Sequence, residues 1–371
     1  MKLSIDRAAL LRSLGHIQSV VERRNTIPIL SNVLMKAEDG VLSMSSTDMD
    51  LEINESVAAN VTMAGATTAP AHTLHDIVRK FPDGSEVEVT LNAEGTQMTV
   101  SAGRSQFKLS CLPVADFPEI AVSDLPHNFS LPASDLRALI DRTKFAMSTE
   151  ETRYYLNGIY VHEADNEGVK VLRAVSTDGH RLARFEMPLP EGASNMPGVI
   201  IPRKTVGEIR KLIEDAADLI QISLSENKIR FTFDHVVLTS KLIDGTFPDY
   251  QRVIPQGNDK IVEVDPKIFT RAIDRVSTIS DGKSRALKIA LNGKQMTLSA
   301  SSAESGSATE EMEVNGDAVM DIGFNAKYLL DITSQIEGEG CRLTLADSGS
   351  PTIIQDNSDP SALYVLMPLR V

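Results

Sequence analysis

Three stretches of this chain, spaced about 130 residues apart, open in the same way: "LSIDRAALLRSL" from Leu3, "FSLPASDLRALI" from Phe129 and "VEVDPKIFTRAI" from Val262. Each reads as a short alternating strand followed directly by a helix. Leu10 and Leu14, Leu136 and Ile140, and Phe269 and Ile273 recur at i, i+4 on one helical face. A second triple match follows: "PAHTLHDIVRKF" from Pro70, "PRKTVGEIRKLI" from Pro202 and "NAKYLLDITSQI" from Asn325. Pro70 and Pro202 stand where a helix begins and a missing N–H costs nothing. Strands "VEVTL", "IQISL" and "CRLTL" come next, from Val87, Ile220 and Cys341. Ser46-Thr47-Asp48 matches Ser176-Thr177-Asp178, and Phe117-Pro118 matches Phe247-Pro248, both at a separation of 130. A repeat of this length is a domain-sized unit that can bury its own core. The expected fold is α+β: three similar domains, 1–121, 122–253 and 254–371, each with two helices and about eight strands in antiparallel sheets. Pro-rich stretches near Pro113 to Pro126 and Phe247 to Asp259 read as linkers.

Other classes are disfavoured. No apolar run approaches the roughly 18 residues of a membrane span. Met1 to Leu14 alternates apolar and charged residues and lacks the h-region of a leader. Cys111 and Cys341 have neither disulfide nor zinc spacing, and the seven histidines are scattered, so no metal is expected. No phosphate-binding glycine fingerprint occurs, and no cofactor is expected. A reducing cytoplasm is the expected location.

The net charge of −14 argues against a nucleic-acid partner until its distribution is examined. The predicted helices, 6–24, 69–81, 134–147, 202–213, 265–285 and 325–336, hold 19 Lys and Arg against 10 Asp and Glu, a net of +9. The remainder holds 18 against 41, a net of −23. Helix propensity does not explain the sign, because Glu is as good a helix former as Lys. Such a surface attracts phosphate without reading sequence and weakens with salt. Two chains closing symmetrically bring twelve helices. At about 10 Å spacing these make a circle roughly 38 Å across, leaving a hole near 28 Å, wider than a duplex of about 20 Å.

"GRSQFKLSCLPVADFP" from Gly103, "RYYLNGIYV" from Arg153, "STDGHRLA" from Ser176, "SKLIDGTFPDYQRV" from Ser240 and the C-terminal "YVLMPLRV" together resemble the DNA polymerase III beta subunit over the whole chain, Met1 to Val371. The resemblance implies the DNA clamp fold, closed as a head-to-tail dimer ring with helices lining the hole. It implies a sliding clamp that tethers the polymerase III alpha subunit, is opened by a clamp loader, and serves other polymerases and repair proteins. Their short linear peptides would enter a pocket between the second and third domains. By the same match that pocket holds Arg153, Leu156, Thr177, Gly179, His180, Arg181, Leu182, Pro248, Arg252, Val253, Val365, Met367, Pro368, Leu369 and Arg370, with Asn325 and Tyr328 at its rim. The leucines, Val253 and Met367 would form an apolar cavity, while Arg181, Arg252 and Arg370 could meet acidic or carbonyl groups of the peptide. For DNA the resemblance points to Arg24, Tyr154 and Tyr155, the tyrosines by stacking. Arg203, Lys204, Lys283 and Arg285 join them from their places on or beside the basic helices. Phe107 and Leu109 are expected to meet Ile279 across the ring seam. His72, Glu150 and Pro351 depart from the family pattern.

Two rival readings differ in class. Ser176, Asp178 and His180 suggest a hydrolytic triad, yet residues two apart on an extended segment run parallel instead of converging. The first repeat carries the same token without the histidine, so no enzyme is expected. The other rival is a peptide-binding scaffold that does not itself hold DNA. Tyr154 and Tyr155 also have a bland reading as a strand with at least one side in the core, and the two Phe-Pro pairs as linker anchors.

Overall fold

Alternation in the opening strand of each repeat buries one row of side chains, and the chain then turns straight into a helix. The computed structural model describes residues 1–118, 124–214, 219–280 and 285–370. Six α-helices form among them: α1 (Arg7–Val20), α2 (Ala71–Lys80), α3 (Ala133–Asp141), α4 (Arg203–Leu212), α5 (Pro266–Ser277) and α6 (Ala326–Thr333). Side chains set several starts by accepting otherwise unpaired N–H groups. Asp6 caps α1 through the Ala9 N–H (2.9 Å), Asp265 caps α5 through Lys267 and Ile268, and Asn325 caps α6 through Lys327 and Tyr328. Pro70 and Pro202 directly precede α2 and α4.

Three helices end four or more residues earlier than their composition predicts. α1 stops at Val20, where Val21 turns extended and the next positions of the buried stripe, Arg24 and Asn25, are polar. α3 stops at Asp141, because the Thr143 hydroxyl donates back to the Leu139 carbonyl (2.6 Å) and competes with the helical ladder. α5 stops at Ser277, where the Ser277 and Thr278 hydroxyls both return to the Asp274 carbonyl.

Among the described residues all strand pairings are antiparallel, in four sheets. A five-stranded sheet runs Asn60–Met63, Lys2–Asp6, Glu86–Leu91, Gln97–Ala102, Ser105–Ser110. An eight-stranded sheet runs His127–Pro132, Leu219–Leu224, Lys228–Phe233, Val236–Lys241, Leu51–Ala58, Val41–Thr47, Asn32–Glu38, Gly65–Pro70. A nine-stranded sheet runs Val199–Pro202, Gly158–Asn166, Val169–Thr177, Arg181–Pro188, Asp359–Leu366, Thr352–Asp356, Cys341–Leu345, Lys260–Val264, Asn315–Gly316. A four-stranded sheet runs Gly306–Glu313, Gln295–Ser302, Ala286–Asn292, Val319–Asn325.

In every repeat the opening strand pairs with the strand after the second helix, and in the same register. Ile5 faces Val87, Leu131 faces Ile220 and Val264 faces Cys341, and all six side chains are buried. Contacts divide the chain into two compact units. One holds Met1–Arg137, Pro190–Met196 and Lys204–Leu242; the other holds Ala138–Leu189, Pro197–Arg203 and Ile243–Val371. Each contains a seam where strands of neighbouring repeats join. In the first unit Leu51–Ala58 pairs with Val236–Lys241, setting Glu52 opposite Thr239. In the second, Arg181–Pro188 pairs with Asp359–Leu366 in the matching register, setting Leu182 opposite Val365. The geometry repeats; the polarity does not.

Candidate partner-binding pocket and nucleic-acid surface

The token Ser-Thr-Asp shared by the first two repeats builds a turn. Asp178 Oδ1 accepts from the N–H groups of His180 (2.9 Å) and Arg181 (3.1 Å), and Thr177 Oγ1 donates to the Arg181 carbonyl (2.7 Å). Asp48 and Thr47 make the same bonds to Asp50 and Leu51 in the first repeat. Gly179 sits in this turn at φ +88°, and a Cβ there would lie 2.5 Å from Arg153 Nη1. Ser176 is fully buried and donates to the Thr143 carbonyl, as Ser46 does to the Ile17 carbonyl. Ser176, Asp178 and His180 are thus consumed by backbone bonding and exposure to solvent, and they form no relay.

This turn forms one wall of a cavity of about 210 Å³. Leu156, Leu182 and Val365 line its apolar base and Met367 stands at its mouth. Thr177, Gly179, His180 and Arg181 contribute the turn, and Pro248, Asp249, Tyr250 and Val253 the opposite wall. The volume is below the roughly 300–1,000 Å³ of a pocket for a drug-sized ligand. It suits one or two apolar side chains of an extended peptide. The Met367 N–H donates to the His180 carbonyl (2.9 Å), extending the Leu182–Val365 ladder by one bond, and the Leu369 N–H donates to Gly323 (2.7 Å).

The expected residues fall into groups. Ten line the cavity: Leu156, Thr177, Gly179, His180, Arg181, Leu182, Pro248, Val253, Val365 and Met367. Arg153 lies over Gly179, held by both oxygens of Glu150 (2.7 and 2.8 Å), which raises its already high pKa and lowers that of the fully exposed Glu150. Asn325 and Tyr328 stand behind the wall, Asn325 as the α6 cap and Tyr328 under the Arg181 guanidinium at 4.3 Å. Burial raises the Tyr328 phenol above its usual range. Arg252 points to solvent and pairs with Asp249 (2.8 Å), and Arg370 is exposed. Pro368 and Leu369 are half-buried and line no part of the cavity.

Arg181 is tied into the fold. Its guanidinium, nearly buried, is bound to Asp178 (3.1 Å), Asp331 (2.6 Å) and the Phe145 carbonyl (2.6 Å). It braces the wall, with three of its five N–H donors spent on the protein's own groups. Asp249 and Tyr250 were missed, although they lie between Pro248 and Val253 around the short 3₁₀ turn Tyr250–Val253. Pro351 accepts from Asn258 (3.0 Å) and does not line the cavity.

The helices keep their positive excess at their true lengths, with 13 Lys and Arg against 6 Asp and Glu. Arg12, Lys80, Lys267, Arg271 and Lys327 are exposed and have no hydrogen-bond or ion-pair partner among the described residues. Arg203 and Lys204, expected to serve DNA, are committed elsewhere. Arg203 donates to the carbonyls of Met147 (2.6 Å) and Ser148 (2.7 Å), and burial lowers its pKa. Burial alone would lower the Lys204 ammonium, but bonds to Asp48 and Glu22 outweigh it and hold it above its usual range. Lys283 lies outside the described residues. Arg24 and Arg285 are exposed, Arg285 with φ +38°. His72 bridges Gln18 and the Val21 carbonyl, a structural tie at the end of α1.

Tyr154 and Tyr155 occupy a 3₁₀ segment, Glu151–Leu156, not a strand. Tyr154 is 53% exposed, and Tyr155 packs on the cluster around Leu156 and Phe247. Phe107, 40% exposed, lies with half-buried Leu109 on the outermost strand of the five-stranded sheet, its ring 5.8 Å from Phe81. Ile279 is half-buried just past α5. Cys111 and Cys341 are free, and burial pushes the Cys341 thiol up to about 12. Among the described residues no group of three or more His, Cys, Asp or Glu side chains is arranged to hold a metal, and no helix is long and apolar enough to cross a membrane.

Models of the DNA polymerase III beta subunit match the chain in three consecutive stretches: the N-terminal domain over 1–121, the central domain over 130–249 and the C-terminal domain over 251–370. The chain is 52% identical over 372 residues to a beta sliding clamp of Caulobacter vibrioides, spanning 100% of both. It is 38% identical over 373 residues to that of Escherichia coli K12, again spanning 100% of both. A crystal structure of the Caulobacter crescentus clamp superposes with a TM-score of 0.98 at 52% identity, covering 100% of this chain and 99% of that one. A Bartonella birtlesii clamp bound to griselimycin gives 0.97 at 49% identity, covering 100% of each.

Proposed function

The chain belongs to the DNA polymerase III beta subunit family, and on that footing we propose that it is a non-catalytic DNA sliding clamp acting in the cytoplasm. Three clamp domains, 1–121, 122–253 and 254–371, from each of two copies close head to tail around duplex DNA. Phe107 and Leu109 of one copy meet the region of Ile279 in the other. The polymerase III alpha subunit, the clamp loader, and other polymerases and repair proteins insert short peptides into the cavity between the Gly179 turn and the Pro248–Val253 segment. Relatives bound to griselimycin support a ligand-accepting surface of this kind.

The observation that carries the tether is the sorting of charge: an anionic protein with 13 basic against 6 acidic residues on its helices. Diffuse attraction to phosphate supplies affinity without sequence preference, which a sliding complex requires. Arg24, Tyr154 and Arg285 supplement it from exposed positions.

The test is retention on plasmid DNA after loading. The protein should stay on nicked circles and leave the same plasmid once it is linearised, by running off the ends. Equal loss from both forms would remove the topological tether and favour a scaffold that never encircles DNA.

A further inference from the structure

The wall of the cavity that carries Pro248, Asp249, Tyr250 and Val253 is a strap laid over the outer face of the nine-stranded sheet. Two things fasten it. Phe247 stacks on Tyr160 at 4.9 Å and 8°, within an apolar cluster that includes Leu182, Leu363 and Val365. The Tyr250 hydroxyl passes through that apolar layer to buried polar groups, accepting from Arg173 Nη1 (2.9 Å) and lying 3.0 Å from His162 Nε2. His162 Nδ1 faces the Glu163 carbonyl at 2.7 Å and must carry the proton there, because a carbonyl only accepts. Nε2 of the neutral ring is therefore the acceptor, and the tyrosine hydroxyl donates to it. The order of donation is thus fixed: Arg173 donates to Tyr250, and Tyr250 donates to His162.

We propose that Tyr250 is a positioning residue for the partner pocket, and that neutral His162, together with Arg173, locks the strap that carries it. The inference rests on the cavity being the partner site.

Protonating His162 replaces the Nε2 acceptor with a donor and leaves the tyrosine proton without its partner. The surroundings oppose that change. From the strand Val169–Thr177, Arg173 faces the ring; from Arg181–Pro188, Arg184 and Glu186 face it, Glu186 lying 3.1 Å from Arg173 and 2.9 Å from Arg184. On its own strand Tyr160 stacks on it at 4.6 Å, and the Glu163 side chain is taken by Lys170 (2.6 Å). Burial chiefly, with a contribution from Arg173, keeps the imidazole below its ordinary pKa against the opposing pull of Glu186 and the Glu163 carbonyl. The lock is therefore fully formed above about pH 6.5 and gives way as pH falls through the lower folded value.

Calorimetric titration of the full-length protein with griselimycin at pH 7.5 and 5.5 tests this. Wild type should bind at pH 7.5 and weaken as pH falls, by up to about tenfold once His162 is protonated, the effect of losing one hydrogen bond to a charged or buried partner. Tyr250→Phe should be about tenfold weaker at pH 7.5 and lose little more on acidification. His162→Gln offers Tyr250 an amide oxygen that does not titrate, and should keep wild-type affinity at both pH values. The proposal is overturned if Tyr250→Phe matches wild type at pH 7.5, or if wild type and His162→Gln share one pH profile. Failure of wild type to bind at either pH overturns the pocket reading itself, and this inference with it.

Discussion

Gly179 shows how one residue decides what a turn can carry. Met49 holds the same position in the first repeat at φ +81°, so the bonds from Thr47 and Asp48 tolerate a side chain in the left-handed region. At Gly179 a Cβ would meet the Arg153 guanidinium. Gly179→Ala should cost about 1–2 kcal/mol of backbone strain and push Arg153 off the turn. A lower melting temperature together with weaker griselimycin binding would meet that expectation; unchanged binding would remove Arg153 from the rim. Family resemblance put Arg181 at the pocket, and it lines the cavity, but the resemblance gave no sign of its bonds to the fold. Whether a guanidinium is free depends on Asp331 and the Phe145 carbonyl, residues distant in sequence that only the fold brings within 2.6 Å. Tyr250 was hidden for the same reason, since its partners Arg173 and His162 lie on other strands.

At the scale of elements the repeat was legible because burial imposes a period. The i, i+4 pairs marked α1, α3 and α5, and alternation marked the strands that pair in each repeat. Helix ends were less legible: hydroxyls at Thr143, Ser277 and Thr278 compete with the ladder, and a composition count does not see that competition. The seams were not legible at all, because joining Leu51–Ala58 to Val236–Lys241 is a choice among many alternating strands. The helix ledger changes which cations to test. Reversing Arg203 or Lys204 would break structural bonds and confuse unfolding with weaker DNA binding. Reversing Arg12, Lys80, Lys267, Arg271 and Lys327 to Glu disturbs no such bond. In fluorescence anisotropy the slope of log affinity against log salt should fall by about 0.9 for each phosphate the protein no longer neutralises. A slope equal to wild type would place these five away from DNA.

For the whole molecule, the outer strand Ser105–Ser110 is an unpaired edge bearing an exposed phenylalanine, a template for association. Phe107→Asp keeps the edge and sets a charge at its centre. Light scattering at micromolar concentration should show the mass of one chain, and retention on nicked circles should disappear. A variant that still scatters as a pair would move the interface elsewhere. The two seams of matching register set another property of the assembly. One presents Leu182 and Val365; the other presents Glu52 and Thr239. The second pair sets a half-buried carboxylate where the first has an aliphatic side chain, and offers a client's greasy anchor no apolar match. On the proposed function a closed pair would have two berths, not four, and a third client would wait for a vacancy. Traffic on the DNA would be governed by how long each occupant lingers, with supply of clients a secondary influence.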